Sequence, residues 1–170
     1  RGRKEALPVY LPPGETERLR AWLAACGFTF VLERMDLREL AYDEPTAIGP
    51  FLVTMGRAAH SLPAGIFTFN AAGGKFVYTG DTGDCPALRA AMAGADLLLA
   101  EATPLTPEEA AAKGHLTAPA LGEMARAAGV RRLLITHFMP GEEPEILAEK
   151  ASAAFGAPVT AAYEGLRLSV

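Results

Sequence analysis

The sequence has 170 residues, of which 50% are apolar and 21% charged, with a formal net charge of −4. That length suits one domain with a real core, and the ordinary balance of apolar to charged residues excludes a disordered chain. With no basic tract, phosphate neutralisation gives no basis for non-specific nucleic-acid binding, although a small contact patch for nucleic acid stays open.

No apolar run approaches the roughly 18 residues of a membrane span, since the longest candidate, Ala95 to Ala100, is strand-sized. No signal peptide is read at the start, so a soluble, cytoplasmic protein is expected. Cys26 and Cys85 form neither a CxxC nor a metal-ligand spacing. In that setting two buried, reduced thiols are favoured over a disulfide. The opening Arg1-Gly2-Arg3-Lys4-Glu5 carries no methionine and reads as a cut fragment or the far side of a further segment.

Strands and helices alternate along the chain. Leu7 to Leu11 reads as a short buried strand, ended by Pro12-Pro13-Gly14. Glu15 to Cys26 reads as a helix with Leu19, Trp22 and Leu23 on one face and Gly27 closing it. Phe28 to Leu32 and Phe51 to Met55 are strand-like, joined by an acidic stretch that holds Pro45 and Pro50. Ile66 to Asn70 and Lys75 to Thr79 predict a hairpin around Ala71-Ala72-Gly73-Gly74. A short helix follows Gly83, with Asp84 as its cap and Pro86 in its first turn.

Asp96 to Ala100 is an apolar strand ending at Glu101. Thr106-Pro107-Glu108-Glu109 is a capping-box start, and Thr117 opens a helix that Gly129 ends. Arg131 to Thr136 is a strand with His137 just past it. Glu142 to Phe155 is a helix, and Val159 to Tyr163 with Leu166 to Val170 predict a closing hairpin. With no repeat or linker, residues 1–170 read as a single domain of packed sheets with helices outside.

The three histidines, His60, His115 and His137, all fall at strand ends or in loops, where sites are usually built. Taken singly, each is more simply a capping or packing residue. Asp81, between Gly80 and Thr82-Gly83 after the strand Phe76-Val77-Tyr78, fits a turn aspartate and a metal ligand equally well. Glu101 is either solvated at a strand end or a carboxylate that orients an imidazole. Together the five polar groups suit a borderline metal such as zinc. No P-loop, GxGxxG or nucleophile-elbow serine competes with metal-assisted hydrolysis.

The order of motifs resembles the metallo-β-lactamase superfamily, particularly its ribonuclease Z-like and cyclic-phosphodiesterase-like branch. The matching stretches are Ala59-His60-Ser61-Leu62-Pro63, Tyr78-Thr79-Gly80-Asp81-Thr82-Gly83, Leu99-Ala100-Glu101-Ala102-Thr103, Gly114-His115-Leu116-Thr117 and Leu134-Ile135-Thr136-His137-Phe138. The resemblance implies an α/β fold, the αββα metallo-β-lactamase sandwich, incomplete at the N-terminus because the first strands and the HxHxDH segment would lie upstream of Leu7. It implies two divalent metal ions, zinc or alternatively manganese. His60 would ligate one, His137 the other, and Asp81 would bridge both. His115 would act near the scissile phosphate, and Glu101 would hold His115 in orientation.

Several residues depart from that pattern. Leu116 stands where serine or threonine is common, Ala100 where histidine is, and the loop between Phe69 and Phe76 leaves no room for a long RNA-clamping insertion. These departures weaken true tRNA processing. The expected activity is therefore a phosphodiesterase acting on a small-molecule or nucleotide ester once the upstream segment is present, residues 1–170 alone being inactive. A lactone or thioester hydrolase and a non-catalytic truncated binding module are the rival readings. No membrane partner is expected, and a homodimer is left open.

Overall fold

The structure is a computed structural model and describes residues 5–139, 141 and 143–169. The described residues up to Glu44 form one compact unit and those from Pro45 onward a second, where the sequence reading took the chain as one domain. The divide falls in the polar stretch Asp43-Glu44-Pro45, where no apolar run continues the core.

In the first unit, β1 (Leu7–Leu11) and β2 (Met35–Glu39) pair in parallel, from Leu7 opposite Met35 to Leu11 opposite Glu39. The crossover between them carries α1 (Glu15–Ala25) and α2 (Thr29–Leu32). Four expectations are corrected here. β1 is a strand but not a buried one, since none of its residues is buried. Phe28 to Leu32 is not a strand: Phe28 N–H bonds back to the Leu23 carbonyl at 2.8 Å and Val31 N–H to the Phe28 carbonyl at 3.0 Å, so the segment coils. Trp22 does not join a buried helix face but is 60% exposed, and only Leu23 of α1 is buried. Cys26 is exposed rather than buried, and both cysteines are free thiols.

The second unit holds a seven-stranded sheet in the order β3-β4-β5-β6-β7-β8-β9. Its strands are β3 (Thr46–Ile48), β4 (Phe51–Arg57), β5 (Gly65–Ala71), β6 (Gly74–Tyr78), β7 (Leu97–Glu101), β8 (Leu133–Thr136) and β9 (Thr160–Ala161). The predicted hairpin is present, with Ala71 opposite Gly74 and Phe69 opposite Phe76. From β6 to β9 the strands run parallel, each crossover made by helices, as parallel pairing requires.

Those helices are α3 (Pro86–Met92), α4 (Pro107–Lys113), α5 (Ala118–Ala127) and α6 (Pro144–Phe155). One sheet face, with Ile66, Val77, Leu98, Leu133 and Ile135, is buried against Leu88 and Met92 of α3, Leu121 and Ala125 of α5, and Ala151 and Phe155 of α6. A methyl group at Gly122 would stand 2.5 Å from the Ala151 carbonyl oxygen, so glycine there lets α5 and α6 meet backbone to backbone. On the opposite face Phe67, Phe69 and Phe76 stack in a row, with ring centroids 6.3 and 5.5 Å apart.

Local chemistry explains the remaining differences from expectation. The Thr106–Glu109 capping box forms on α4 as predicted, and Thr117 caps α5. Asp84 does not cap α3. Cys85 holds that position without a side-chain bond, because Asp84 takes the Arg89 guanidinium at 2.8 Å instead. The closing hairpin is absent among the described residues. The short β9 pairs in parallel with β8, and the turn closed by Leu166 N–H on the Tyr163 carbonyl at 3.2 Å is followed by no strand among the described residues. Val170 and Glu142, which ended one predicted element and began another, lie outside the described residues.

Candidate metal centre

Parallel strands β6, β7 and β8 bring their carboxyl ends to one edge, which is where open α/β sheets build their sites. Asp81 lies just past β6, Glu101 is the last residue of β7, and His137 immediately follows β8. His60 reaches the same edge on the β4–β5 connection, because the antiparallel register sets Arg57 opposite Gly65 and Phe67 opposite Tyr78. His115 arrives between α4 and α5.

A close backbone approach pins His60 beside His115. Ala59 bridges Gly83, whose N–H donates to the Ala59 carbonyl at 2.9 Å. Gly114 adopts φ +75°, and a methyl group there would lie 2.6 Å from the Ala59 carbonyl oxygen and 3.2 Å from His60 Cα. The three imidazoles consequently form a row: His60 meets His115 edge-on at 5.2 Å between centroids, and His115 stacks on His137 at 5.3 Å. His137 itself has φ +67°. That left-handed conformation is uncommon outside glycine and turns its ring out of the line of β8, towards Asp81. His137 Nε2 stands 3.5 Å from Asp81 Oδ2. The structure thus brings all five sequence-predicted residues to one place.

Glu101 is the buried centre of this cluster, its side chain only 1% exposed. Thr82 N–H donates to Oε1 at 2.6 Å, while Thr103 Oγ–H at 2.6 Å and Leu116 N–H at 3.3 Å donate to Oε2. His115 Nδ1 lies 3.0 Å from both oxygens. An ionised carboxylate only accepts, so His115 carries its proton on Nδ1 and keeps Nε2 for other partners. Thr79 completes the support: its hydroxyl donates to the Gly80 carbonyl at 2.7 Å and accepts from Glu101 N–H at 3.2 Å.

Sequence reasoning missed Thr79, Thr82 and Thr103, which are 0%, 0% and 4% exposed. The signal was present in the Tyr78-Thr79 and Glu101-Ala102-Thr103 stretches, where threonines sit at strand ends, but threonine in such loops also reads as an ordinary cap.

The ligand-capable atoms of Glu101, His115 and His137 all lie within 4.8 Å of one another. That trio differs from the expected one of His60, Asp81 and His137. A cation at Glu101 would have to displace buried donors already satisfied, whereas Asp81 and His137 are 42% and 34% exposed and face outward. The donor chemistry of Asp81 and His137 therefore fits a divalent cation. His60 fits only in part. Its Nδ1 accepts a long bond from Leu62 N–H at 3.3 Å, so neutral His60 carries its proton on Nε2 and must change tautomer to ligate through that atom.

A cavity of about 640 Å³ opens beside His60 and His115 and is bordered by Lys113 and Arg89. The paired Asp84 carboxylate holds the Arg89 guanidinium above its ordinary pKa, mainly through their hydrogen bond. A larger groove of about 930 Å³ between α4, α5 and α6 contains none of the three histidines. The smaller cavity is the one coupled to the chemistry, because two of the imidazoles, His60 and His115, line it.

A sheet with helices on one face and a histidine–carboxylate cluster at the strand ends defines a metallo-β-lactamase-fold protein. The chain belongs to the β-lactamase superfamily domain family, which it matches over residues 1–138.

An uncharacterized protein of Mycobacterium leprae is 33% identical over 131 residues, covering 76% of this chain and 46% of that protein. A ribonuclease Z of Methanothermobacter thermautotrophicus is 40% identical over 91 residues, covering 52% of this chain and 29% of that protein. The chain thus spans about half the length, or less, of the curated relatives it matches.

Among solved structures, the metallo-β-lactamase fold protein YhfI from Bacillus subtilis superposes with a TM-score of 0.79 at 23% identity, covering 96% of this chain and 64% of that one. A diphosphatase from the PhnP family superposes with a TM-score of 0.73 at 17% identity, covering 96% and 58% respectively. These two likenesses establish the fold. Among the described residues no helix is long and apolar enough to cross a membrane.

Proposed function

We propose that this chain forms part of a metal-dependent hydrolase that cleaves phosphodiesters of small-molecule or nucleotide substrates. The observation that carries the reading is the outward-facing pair of Asp81 Oδ2 and His137 Nε2, 3.5 Å apart, beside a histidine whose other nitrogen is engaged by a buried carboxylate. Asp81, His137 and His60 would hold two divalent cations, zinc or alternatively manganese, with Asp81 shared between them. Bound cations of this kind supply Lewis-acid polarisation of a phosphoryl oxygen and a water acidic enough to attack near neutral pH. Asp81 and His137 together leave a zinc ion short of the three protein ligands usual at catalytic sites, so activity belongs to the whole protein.

The chain's own residues set the geometry around the phosphate. His115, held at Nδ1 by Glu101, presents Nε2 as the atom that stabilises charge on the phosphate or passes a proton to the leaving oxygen. Its 14% exposed side chain lines the cavity that a substrate would enter. The ribonuclease Z similarity adds support for a phosphoryl substrate.

The test is hydrolysis of bis(p-nitrophenyl) phosphate by the full-length protein with added Zn²⁺ or Mn²⁺. Asp81→Ala and His137→Ala are expected to abolish turnover. A rate for Asp81→Ala equal to the parent's refutes the reading. His115→Ala should cost the phosphodiester reaction about 10²–10⁴-fold, the range of a positioned acid–base group, and a lactone or thioester substrate far less.

A further inference from the structure

We propose that Thr103 is a positioning residue that fixes His137 in the tautomer able to bind a cation, relaying to it the charge of Glu101. The inference deepens the functional reading above and rests on His137 being a ligand.

The case follows from counting one proton. Glu101 is fully buried and receives hydrogen bonds at both oxygens, so its carboxylate has no proton to offer. Thr103 Oγ1 lies 2.6 Å from Glu101 Oε2 and 2.9 Å from His137 Nδ1. A hydroxyl owns a single hydrogen, and the carboxylate takes it. Towards His137 the same oxygen can only accept, so Nδ1 must carry the hydrogen. The lone pair of neutral His137 is then left on Nε2, the atom 3.5 Å from Asp81 Oδ2.

The direct path is closed. His137 Nδ1 is 3.8 Å from Glu101 Oε2, beyond hydrogen-bond reach, so the hydroxyl is the necessary intermediate. One buried carboxylate thereby sets two imidazoles, His115 directly and His137 through Thr103. Metal-ligating histidines ordinarily donate their second N–H to such a partner. His60, whose Nδ1 faces the Leu62 N–H at 3.3 Å, has the opposite tautomer and supplies an internal contrast.

The experiment is long-range ¹H–¹⁵N NMR of the metal-free chain at about pH 8.5, well above the ordinary imidazole pKa of about 6.5. The three ring systems are assigned from His60→Gln, His115→Gln and His137→Gln. In the parent, His137 and His115 are expected as Nδ1–H and His60 as Nε2–H. Thr103→Val, which keeps the shape and removes the hydroxyl, should move His137 towards Nε2–H while Thr103→Ser restores Nδ1–H. Zn²⁺ affinity measured by competition with a chromogenic chelator should fall about 10- to 100-fold in Thr103→Val and recover in Thr103→Ser.

An Nε2–H pattern for His137 in the parent protein overturns the proposal even if the valine variant fails to fold. So does an unshifted tautomer in a folded Thr103→Val. Because the tautomer is read without metal or substrate, an inactive full-length protein with the expected pattern sinks only the phosphodiesterase reading.

Discussion

Replacing Glu101 with glutamine tests the centre of the cluster. The substitution keeps volume and shape but exchanges one acceptor oxygen for a donor NH₂. Oε1 accepts from Thr82 N–H at 2.6 Å and Oε2 from Thr103 Oγ–H at 2.6 Å, so neither orientation of the amide satisfies both. The less damaging one places NH₂ against Thr82 N–H, since Oε2 also serves Leu116 N–H at 3.3 Å. One main-chain donor is then buried against another donor.

An unsatisfied buried donor costs about 1–3 kcal/mol, and the lost charge weakens the remaining bonds by roughly another 1 kcal/mol. Release of the desolvated charge returns part of this, leaving a net loss of about 2–3 kcal/mol. Urea unfolding followed by far-UV circular dichroism measures that difference, and heating should show a midpoint lower by about 4–12 °C for a chain of this size. Glu101→Gln within 0.5 kcal/mol of the parent would mean that the four donors do not converge on a carboxylate, and the tautomer assignments of His115 and His137 would fail with it.

Gly114→Ala should destabilise the protein by about 2–4 kcal/mol, the sum of a left-handed alanine and a methyl group 2.6 Å from the Ala59 oxygen. Gly94→Ala, at φ +64° with nothing within 4 Å, should cost only about 1–2 kcal/mol; equal losses in denaturant unfolding would remove the role given to the Ala59 contact. Asp96→Ala should lose about 1–2 kcal/mol by the same assay, because Asp96 Oδ2 accepts from Lys75 N–H at 2.8 Å, while its pairing with the largely exposed Arg131 adds little. Burial pushes the Lys75 ammonium below its ordinary pKa, partly offset by Asp96. The unfolded chain therefore binds more protons there, and stability should rise with pH on approaching the ordinary lysine value of 10.5. Lys75→Met should flatten that alkaline rise in a pH series of unfolding midpoints.

Local chemistry made much of this protein legible from its residues. Apolar runs bounded by glycine and proline marked the β5–β6 hairpin and the strands carrying Glu101 and His137, and Thr106-Pro107-Glu108-Glu109 announced a cap that forms as read. Glu101 closes β7, His137 follows β8, and Asp81 and His60 lie in the loops after β6 and β4, as read, because the sheet fixes where each strand stops; His115 instead sits between the helices α4 and α5. The pattern failed where the deciding partner is remote or the segment short. Four residues at Thr29–Leu32 carry too little periodicity to separate a helical turn from a strand, and Trp22 is exposed because the faces of α1 depend on what packs against them.

Only the tertiary structure could decide the threonine network. Thr82 and Glu101 lie 19 positions apart, and Thr103 and His137 34 apart. A threonine carries the same hydroxyl whether it caps a helix or holds a histidine tautomer. Which it does depends on the acceptor that the parallel register of β6, β7 and β8 sets beside it.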